Sequence, residues 1–228
     1  MCKLLMDLQK EIEKSKNDIK IPEEIKLLYT WIENNGLIES HDGLIQTPKG
    51  MVGDPDVYQY GRINVDYEFS PDITFTTSVH KGLNYWFDLP EITDEISSRL
   101  VPFAESGFDG SRLAFWLDDN NELRFVHMGS GSASMLCCVI ANNAREFLSL
   151  LSIGYGQLGD VYDFSSSPEE IADGEEIKIN DSFIDWLEND FGIKRPANAA
   201  HIIKETPDIG DENTGDLFCL WCNKQFRQ

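Results

Sequence analysis

Two glycine-rich stretches of the chain have spacings like those of phosphate-binding loops. Residues 154–159, with the sequence GYGQLG, match the GxGxxG pattern of dinucleotide-binding proteins. That pattern works between a strand and a helix, because the phosphates meet the helix N-terminus. Here the glycines follow a predicted helix and lead into a polar stretch, which favours a turn that ends the helix. Residues 129–133, GSGSA, lack the lysine and the following helix of a P-loop, which favours a loop between two strands.

Cysteine and histidine provide the other candidate ligands and nucleophiles. Cys219 and Cys222 form a CxxC motif, but a structural zinc site needs a second pair of ligands. Cys137 and Cys138 are adjacent, so in a strand their side chains point to opposite faces. We therefore predict buried thiols, with a zinc or redox site as the alternative. His127 could serve as a general base, but no serine or cysteine nucleophile motif accompanies it.

The sequence thus predicts no catalytic residues, no metal site and no cofactor. Its 40 Asp and Glu residues could include a catalytic pair, but no spacing singles one out. We expect a protein that acts by binding a partner and is not an enzyme. A small-ligand-binding protein or an enzyme is the alternative.

The chain carries a strong negative charge. Forty Asp and Glu residues oppose 19 Lys and Arg residues, which gives a formal charge of −21 over 228 residues. Such a field repels nucleic acid and anionic membranes, and it speeds the encounter with basic proteins. No apolar stretch approaches the ~20 residues of a membrane span. Five cysteines, an odd number, without an export signal predict reduced thiols and a cytoplasmic location.

We predict that acidic residues in two places contact a partner. One is a predicted hairpin turn after residue 117. The other is the segment 169–190, whose charge also suits a solvated face. The candidate partner-binding residues are Asp118, Asp119, Glu122, Glu169, Glu170, Glu175, Glu176, Asp185 and Glu188. Their expected role is electrostatic steering with a few charge-assisted hydrogen bonds.

Hydrophobic spacing predicts helices near the start of the chain and in its second half. Residues 3–18 carry apolar residues on one helical face, and Pro22 suits the first turn of a second helix that stops at Asn34-Asn35-Gly36. A short helical stretch is predicted over 91–99. Another helix begins at Asn142-Asn143, which can cap it, and ends at Gly154.

Strands are predicted through the middle of the chain. Residues 62–69 alternate polar and apolar, and residues 73–79 are rich in strand formers. Residues 111–117 and 122–127 flank a turn of Asp and Asn, which predicts a hairpin. The apolar run 135–141 is typical of a central strand.

The composition changes after Gly159. Residues 163–176 are predicted to form a loop, and residues 182–191 an amphipathic helix. Residues 192–228 are predicted to combine a loop with one final aromatic segment.

Three stretches together resemble the SUKH superfamily, which includes Smi/Knr-like cell-wall regulators and bacterial toxin-immunity proteins. Residues 21–36, from IPEE to NNG, are similar to the family's opening helix. Residues 100–117, with LVPFA, Gly107, Gly110 and FWL, are similar to its central signature. Residues 139–151, VIANN followed by EFL and Leu151, are similar to the strand and helix that close the family's core.

The resemblance covers roughly residues 20–155 and implies an α+β fold with a mainly antiparallel twisted sheet flanked by helices. We predict an N-terminal helix in residues 1–20, a SUKH-like core over 21–156 and an extension over 157–228 packed on that core. The resemblance also implies a bacterial immunity protein that binds a cognate secreted toxin, such as a nuclease. A regulatory or scaffold domain that binds an endogenous partner is the alternative.

Overall fold

The computed structural model describes residues 2–15, 18–41, 44–47, 50–53, 58–64, 73–107 and 109–226. The helices in these ranges are α1 (Lys3–Lys14), α2 (Glu23–Asn34), α3 (Leu83–Trp86), α4 (Asp94–Arg99), α5 (Ala144–Ile153), α6 (Pro168–Ile171), α7 (Asp181–Trp186) and α8 (Leu217–Gln225). The strands are β1 (Ile38–His41), β2 (Leu44–Thr47), β3 (Gly50–Gly53), β4 (Tyr58–Arg62), β5 (Thr74–Thr76), β6 (Leu100–Glu105), β7 (Arg112–Leu117), β8 (Leu123–Met128) and β9 (Cys137–Ala141).

Seven of these strands form one antiparallel sheet in the order β1-β4-β5-β6-β7-β8-β9, and β2 pairs with β3. Helices flank the large sheet, so the predicted α+β class is confirmed. The hairpin predicted in the middle of the chain is also present: β7 and β8 pair from Arg112↔Met128 to Leu117↔Leu123. Asn121 closes its turn at φ 58, a left-handed conformation that Asn tolerates better than most residues.

The apolar strand β9 lies at the edge of the sheet, so the prediction that it is central was wrong. Its continuous hydrophobic run has another cause. Cys138 and Ile140 face the main core, while Cys137 faces a second core, so both faces are covered. The outer edge is covered as well: the Cys137 amide donates to the carbonyl of Pro207 (2.9 Å), and the Val139 amide donates to Asp216 Oδ2 (2.9 Å).

The sheet separates two hydrophobic cores. Alternate residues of a strand face opposite sides of the sheet. Leu113 and Phe115 of β7 point into the larger core, which α1, α2 and α5 cover. Ala114 and Trp116 point into the smaller core, to which α3, α4 and α8 contribute. Arg99 closes the smaller core with its guanidinium over Trp116 (5.6 Å) and over Trp221 (5.7 Å).

Several predicted boundaries differ from the observed ones. The strand predicted over 62–69 is represented by the end of β4 at Arg62, and residues 65–69 lie outside the described residues. The strand predicted over 73–79 is β5, which ends at Thr76, and a 3-10 turn follows over Ser78–His80. The short helix α4 begins at Asp94, because the Thr93 hydroxyl accepts the Ile96 amide and caps it.

Residues 163–176, predicted as a loop, contain the one-turn helix α6. Ser167 and Glu170 form a reciprocal capping box, in which the Ser167 hydroxyl accepts the Glu170 amide (3.2 Å) and Glu170 Oε2 accepts the Ser167 amide (2.8 Å). The amphipathic helix predicted over 182–191 is α7, which continues as a π-helical turn over Leu187–Phe191. The final aromatic segment is α8.

Candidate functional site

The hairpin turn holds three of the predicted partner-binding residues, but they are not equivalent. Asp118 is 2% exposed. Its Oδ1 accepts the amides of Asn120 and Glu122, each at 2.9 Å, and its Oδ2 accepts the guanidinium of Arg124 at 3.0 and 3.1 Å. Burial raises the pKa of Asp118, but these donors outweigh it and hold the pKa below its usual value. Asp118 therefore organises the turn, and its expected contact with a partner does not fit its burial.

Asp119 and Glu122 project from the same turn into solvent. Asp119 Oδ1 pairs with Arg99 Nη2 at 2.8 Å, yet its side chain remains 78% exposed. Glu122 pairs with Arg124 and is also largely exposed. Both carboxylates are accessible to a partner, although each already has a cationic neighbour that offsets part of its charge.

An apolar cleft of about 300 Å³ lies beside the residues that follow this turn. Leu123 and Phe125 of β8 line it together with Ala144, at the start of α5. Glu24 and Arg145 also line the cleft. Arg145 Nη2 donates a hydrogen bond to the backbone carbonyl of Phe191. This cleft could not be predicted from the sequence, because it joins residues more than 100 positions apart.

The second group of predicted residues lies on and after α6. Glu169 Oε1 pairs with Arg195 Nη2 at 3.0 Å, and Arg195 also donates to the carbonyl of Ile153 at 2.9 Å. Glu170 belongs to the capping box of α6. Glu175 and Glu176 follow a reversal of the chain at Asp173-Gly174, where both residues have positive φ, and both glutamates are exposed.

Asp185 and Glu188 are exposed on α7 and on the π-helical turn that follows it. The opposite face of this helix is buried through Phe183 and Leu187. Phe183 contacts Trp31 of α2 with ring centroids 5.2 Å apart, and Trp186 stacks on the same indole at 5.7 Å. The two carboxylates therefore stand on a helix whose position is fixed by aromatic packing.

A cleft of about 600 Å³ gathers acidic and apolar residues of this region. Glu176 and Asp181 line it with Lys178 and Arg195, and Ile177, Ile179 and Ile184 supply apolar surface. The segment that carries Ile177 and Ile179 passes close to Gly154, because a Cβ on this glycine would lie 2.5 Å from Ile179 Cδ1. Gly154 also has φ 97 and ends α5, so the predicted helix-ending turn is confirmed.

A serine lies against His127, although no serine or cysteine nucleophile motif accompanies this histidine in the sequence. Ser106 Oγ is 2.9 Å from His127 Nε2, and His127 Nδ1 is 2.9 Å from the carbonyl of Leu136. A carbonyl only accepts, so Nδ1 carries the proton and Nε2 accepts the serine hydroxyl. Both side chains are fully buried, and burial lowers the pKa of His127 to about 4. The pair has the groups of a nucleophile and its base, but a substrate has no access to them.

The glycine-rich residues 129–133 connect β8 to β9, as predicted for a loop between strands. Ser130 Oγ donates to Asp109 Oδ2 at 2.9 Å, and Ser134 Oγ donates to the carbonyl of Gly159 at 3.1 Å. Gly159 packs so tightly here that a Cβ would lie 2.4 Å from Ser134 Oγ. The hydroxyls of Ser130 and of Ser134 just after the loop are therefore already hydrogen-bonded within the protein.

All five cysteines are buried, and all five are free thiols. Cys137, Cys219 and Cys222 contribute to the smaller core, and Cys138 to the larger, as predicted for neighbours in a strand. A hydrogen bond with Cys137 and burial both raise the pKa of Cys219, which keeps it as a thiol. Among the described residues, no group of three or more His, Cys, Asp or Glu side chains is arranged to hold a metal ion.

Comparison of the chain with family models, with curated proteins and with solved structures gave no match. The resemblance to SUKH domains therefore stays a prediction. In the part of the chain that the structure describes, no helix has both the length and the apolar character needed to cross a membrane.

Proposed function

We propose that this protein binds a basic protein partner through its acidic surface and that it acts as an immunity protein against a cognate toxin in the cytoplasm. The observation that carries the proposal is the charge of residues 160–190, which include one cation, Lys178. The acidic residues of this stretch are Asp160, Asp163, Glu169, Glu170, Asp173, Glu175, Glu176, Asp181, Asp185, Glu188 and Asp190. All of them except the partly buried Glu169 are exposed.

Rigidity supports the proposal because a fixed surface binds at a lower entropic cost than a loose one. Aromatic packing against Trp31 fixes α7, and the capping box and Arg195 fix α6. An excess of carboxylates on such a surface steers a basic protein into contact and suits the Lys- and Arg-rich site of a nuclease.

The first experiment expresses the reading frame adjacent to the gene, in cells with and without this protein. We expect the adjacent product to be toxic alone, to be neutralised by this protein and to co-purify with it. A harmless neighbour would overturn the toxin assignment and favour a regulatory or scaffold role with an endogenous partner. Rescue without a complex would contradict direct binding.

Charge reversal tests the surface itself. The variant Glu175→Lys/Glu176→Lys/Glu188→Lys should slow association with the adjacent product at low salt, and the difference should shrink at high salt because mobile ions screen exposed charges. The matched control is Glu13→Lys/Glu33→Lys/Glu91→Lys, which changes the net charge equally at exposed sites outside the stretch 160–190. Equal association rates for the two variants would remove the 175–188 carboxylates from the interface.

A further inference from the structure

Tyr162 presents an almost fully exposed aromatic ring near the start of the acidic stretch 160–190. Its side chain is 91% exposed, the highest value among the exposed large hydrophobic residues of the described chain. Its neighbours on either side are anchored, since Val161 and Phe164 are both buried in the larger core. Tyrosine is enriched at protein interfaces because its ring supplies a large contact area, so a ring held outward between two buried residues is a candidate contact residue.

The loop that carries Tyr162 is fixed by hydrogen bonds to the hydroxyl of Tyr155. This hydroxyl accepts the amide of Ala199 (3.0 Å) and donates to the carbonyl of Ser166 (2.9 Å). The Ala199 amide also reaches the carbonyl of Phe164 at 3.0 Å, and Asn198 Nδ2 donates to the carbonyl of Ser165 at 2.8 Å. The exposure of Tyr162 is therefore built into an ordered loop, and a partner need not order that loop on binding.

The charge around Tyr162 defines the chemistry that would cover it. Asp160 and Asp163, two residues before it and one after it, are both exposed. Asp163 Oδ1 accepts the Ser165 amide at 2.8 Å, and hydrogen bonds from Ser165 lower the pKa of the Asp163 carboxyl, which keeps it charged. The face of an aromatic ring attracts cations, and carboxylates beside it strengthen the attraction. An Arg or Lys side chain can contact the ring face and pair with the carboxylates, whereas these carboxylates would repel an acidic or phosphate-bearing ligand.

We propose that Tyr162 is the anchor residue of the interface with the basic protein partner, whose Arg or Lys side chain stacks on the tyrosine ring beside Asp160 and Asp163. This inference rests on the proposed function and adds a residue to it. Anchors of this kind are enriched in tyrosine and are surrounded by polar rims. Anchors act mainly on dissociation, whereas the distant carboxylates act mainly on association.

The test measures binding of the purified product of the adjacent reading frame to four forms of this protein. They are the wild type, Tyr162→Ala, Tyr162→Phe and Tyr85→Ala. Tyr85 is the matched control, since its side chain is 82% exposed but lies on α3, outside the acidic region. Thermal unfolding of each variant checks that its fold is intact.

Tyr162→Ala should weaken binding about thirtyfold, mainly through faster dissociation, as expected for an anchor residue. Tyr162→Phe keeps the ring and should bind within about threefold of the wild type, and Tyr85→Ala should bind like the wild type. Unchanged binding by Tyr162→Ala, or equal loss by Tyr162→Ala and Tyr85→Ala, would overturn the anchor while leaving the proposed function in place. Failure of the wild type to bind would overturn the proposed function and the anchor together.

Discussion

At the scale of single residues, neighbouring acids of identical chemistry have opposite roles. Asp118 is buried and accepts four hydrogen bonds in the turn, while Asp119 is exposed and forms one ion pair. The sequence does not distinguish them, because a shift of one position along a strand exchanges the buried and exposed faces. What separates the two residues is the position of Arg124 on the returning strand.

Replacing Asp118 by alanine should destabilise the fold far more than the same change at Asp119. Asp118→Ala leaves two turn amides without their acceptor and removes the buried carboxylate that Arg124 shares with Glu122, which costs about 3 kcal/mol. Asp119→Ala removes an exposed ion pair and should cost less than about 1 kcal/mol. Urea unfolding of both variants measures the difference, and equal losses would contradict the structural role of Asp118.

The buried His127 makes the stability of the fold depend on pH. Its pKa falls from 6.5 to about 4 on folding, chiefly because of burial, so the unfolded state binds more protons between these values. Its contribution is therefore fully present above pH 6.5 and is lost as the pH falls towards 4, by an amount on the order of 3 kcal/mol. His80, whose pKa burial also lowers to about 4, acts in the same direction.

The measurement is the free energy of unfolding of wild type and His127→Asn between pH 7 and pH 4.5. The wild type should lose more stability over this range than the variant, whatever the stability of the variant at pH 7. The comparison with the variant is needed because burial also raises the pKa values of Glu105 and Asp216. These two groups make the fold more stable as the pH falls, which is opposite to the effect of His127. An NMR titration that places the His127 ring near pH 6.5 in the folded protein would contradict the prediction.

At the scale of elements, Asp216 joins the start of α8 to the edge of the sheet. Its Oδ1 accepts the Cys219 amide and caps α8, and its Oδ2 accepts the Val139 amide of β9, each at 2.9 Å. An edge strand with open amides invites pairing with other chains, and here a side chain takes the place of a neighbouring strand.

Asp216→Ala should lower the free energy of unfolding by about 2 to 3 kcal/mol, because it removes a helix cap and leaves the Val139 amide without an acceptor. Asp190→Ala, at an exposed position on the π-helical turn, is the control and should change stability by less than about 0.5 kcal/mol. Amide hydrogen exchange gives the second readout. Val139 should exchange faster in Asp216→Ala, and unchanged protection would show that this contact is not a barrier to opening.

Local patterns predicted elements well where a period and a turn signal coincided. The β7–β8 hairpin and the helix between Asn143 and Gly154 are of this kind. The edge position of β9 was not predictable in this way. An apolar run indicates that both faces of a strand are buried, but it does not indicate how many strands pair with it. The capping box of α6 was visible as Ser167 followed by Glu170, but the acidic composition of the region favoured a loop.

The side-chain contacts of the candidate residues were less accessible to sequence reasoning than the elements that carry them. Ser106 and His127 meet only because β6 and β8 lie on either side of β7. In the stretch Val161-Tyr162-Asp163-Phe164, three residues are apolar or aromatic, and nothing in their types says that Tyr162 points outward. The concentration of acidic residues over 169–190 is visible in the sequence, since charge density depends on composition alone, and their contact with a partner stays a prediction.

At the scale of the whole molecule, the charge of −21 opposes the compact state. Carboxylates on α6, α7 and the intervening segment repel one another at close range, and dissolved salt screens that repulsion. The same field that attracts a basic partner therefore lowers the stability of the free protein. Binding of such a partner should stabilise the fold both by contact and by neutralisation.

The midpoint of thermal unfolding should rise between low and moderate sodium chloride concentration. Each 1 kcal/mol gained corresponds to about 2–4 °C for a chain of this size. The variant Glu175→Lys/Glu176→Lys/Glu188→Lys has a net charge of −15, from −21 plus three changes of +2, and should show a smaller rise. Potassium chloride should act like sodium chloride. A midpoint that falls with salt would mean that attractive ion pairs outweigh the repulsion.

The division of the sheet between two cores also orders the steps by which the protein is made. The residues of α8 are translated after every strand of the sheet, so the face bearing Ala114, Trp116 and Val126 is synthesised well before the helix that covers it. On the ribosome, the nascent chain can close the larger core first, since α1, α2 and α5 have already emerged. A nascent chain halted before residue 217 lacks the rings of Phe218 and Trp221 that pack on Trp116, so this part of the face stays open to chaperones until α8 is made.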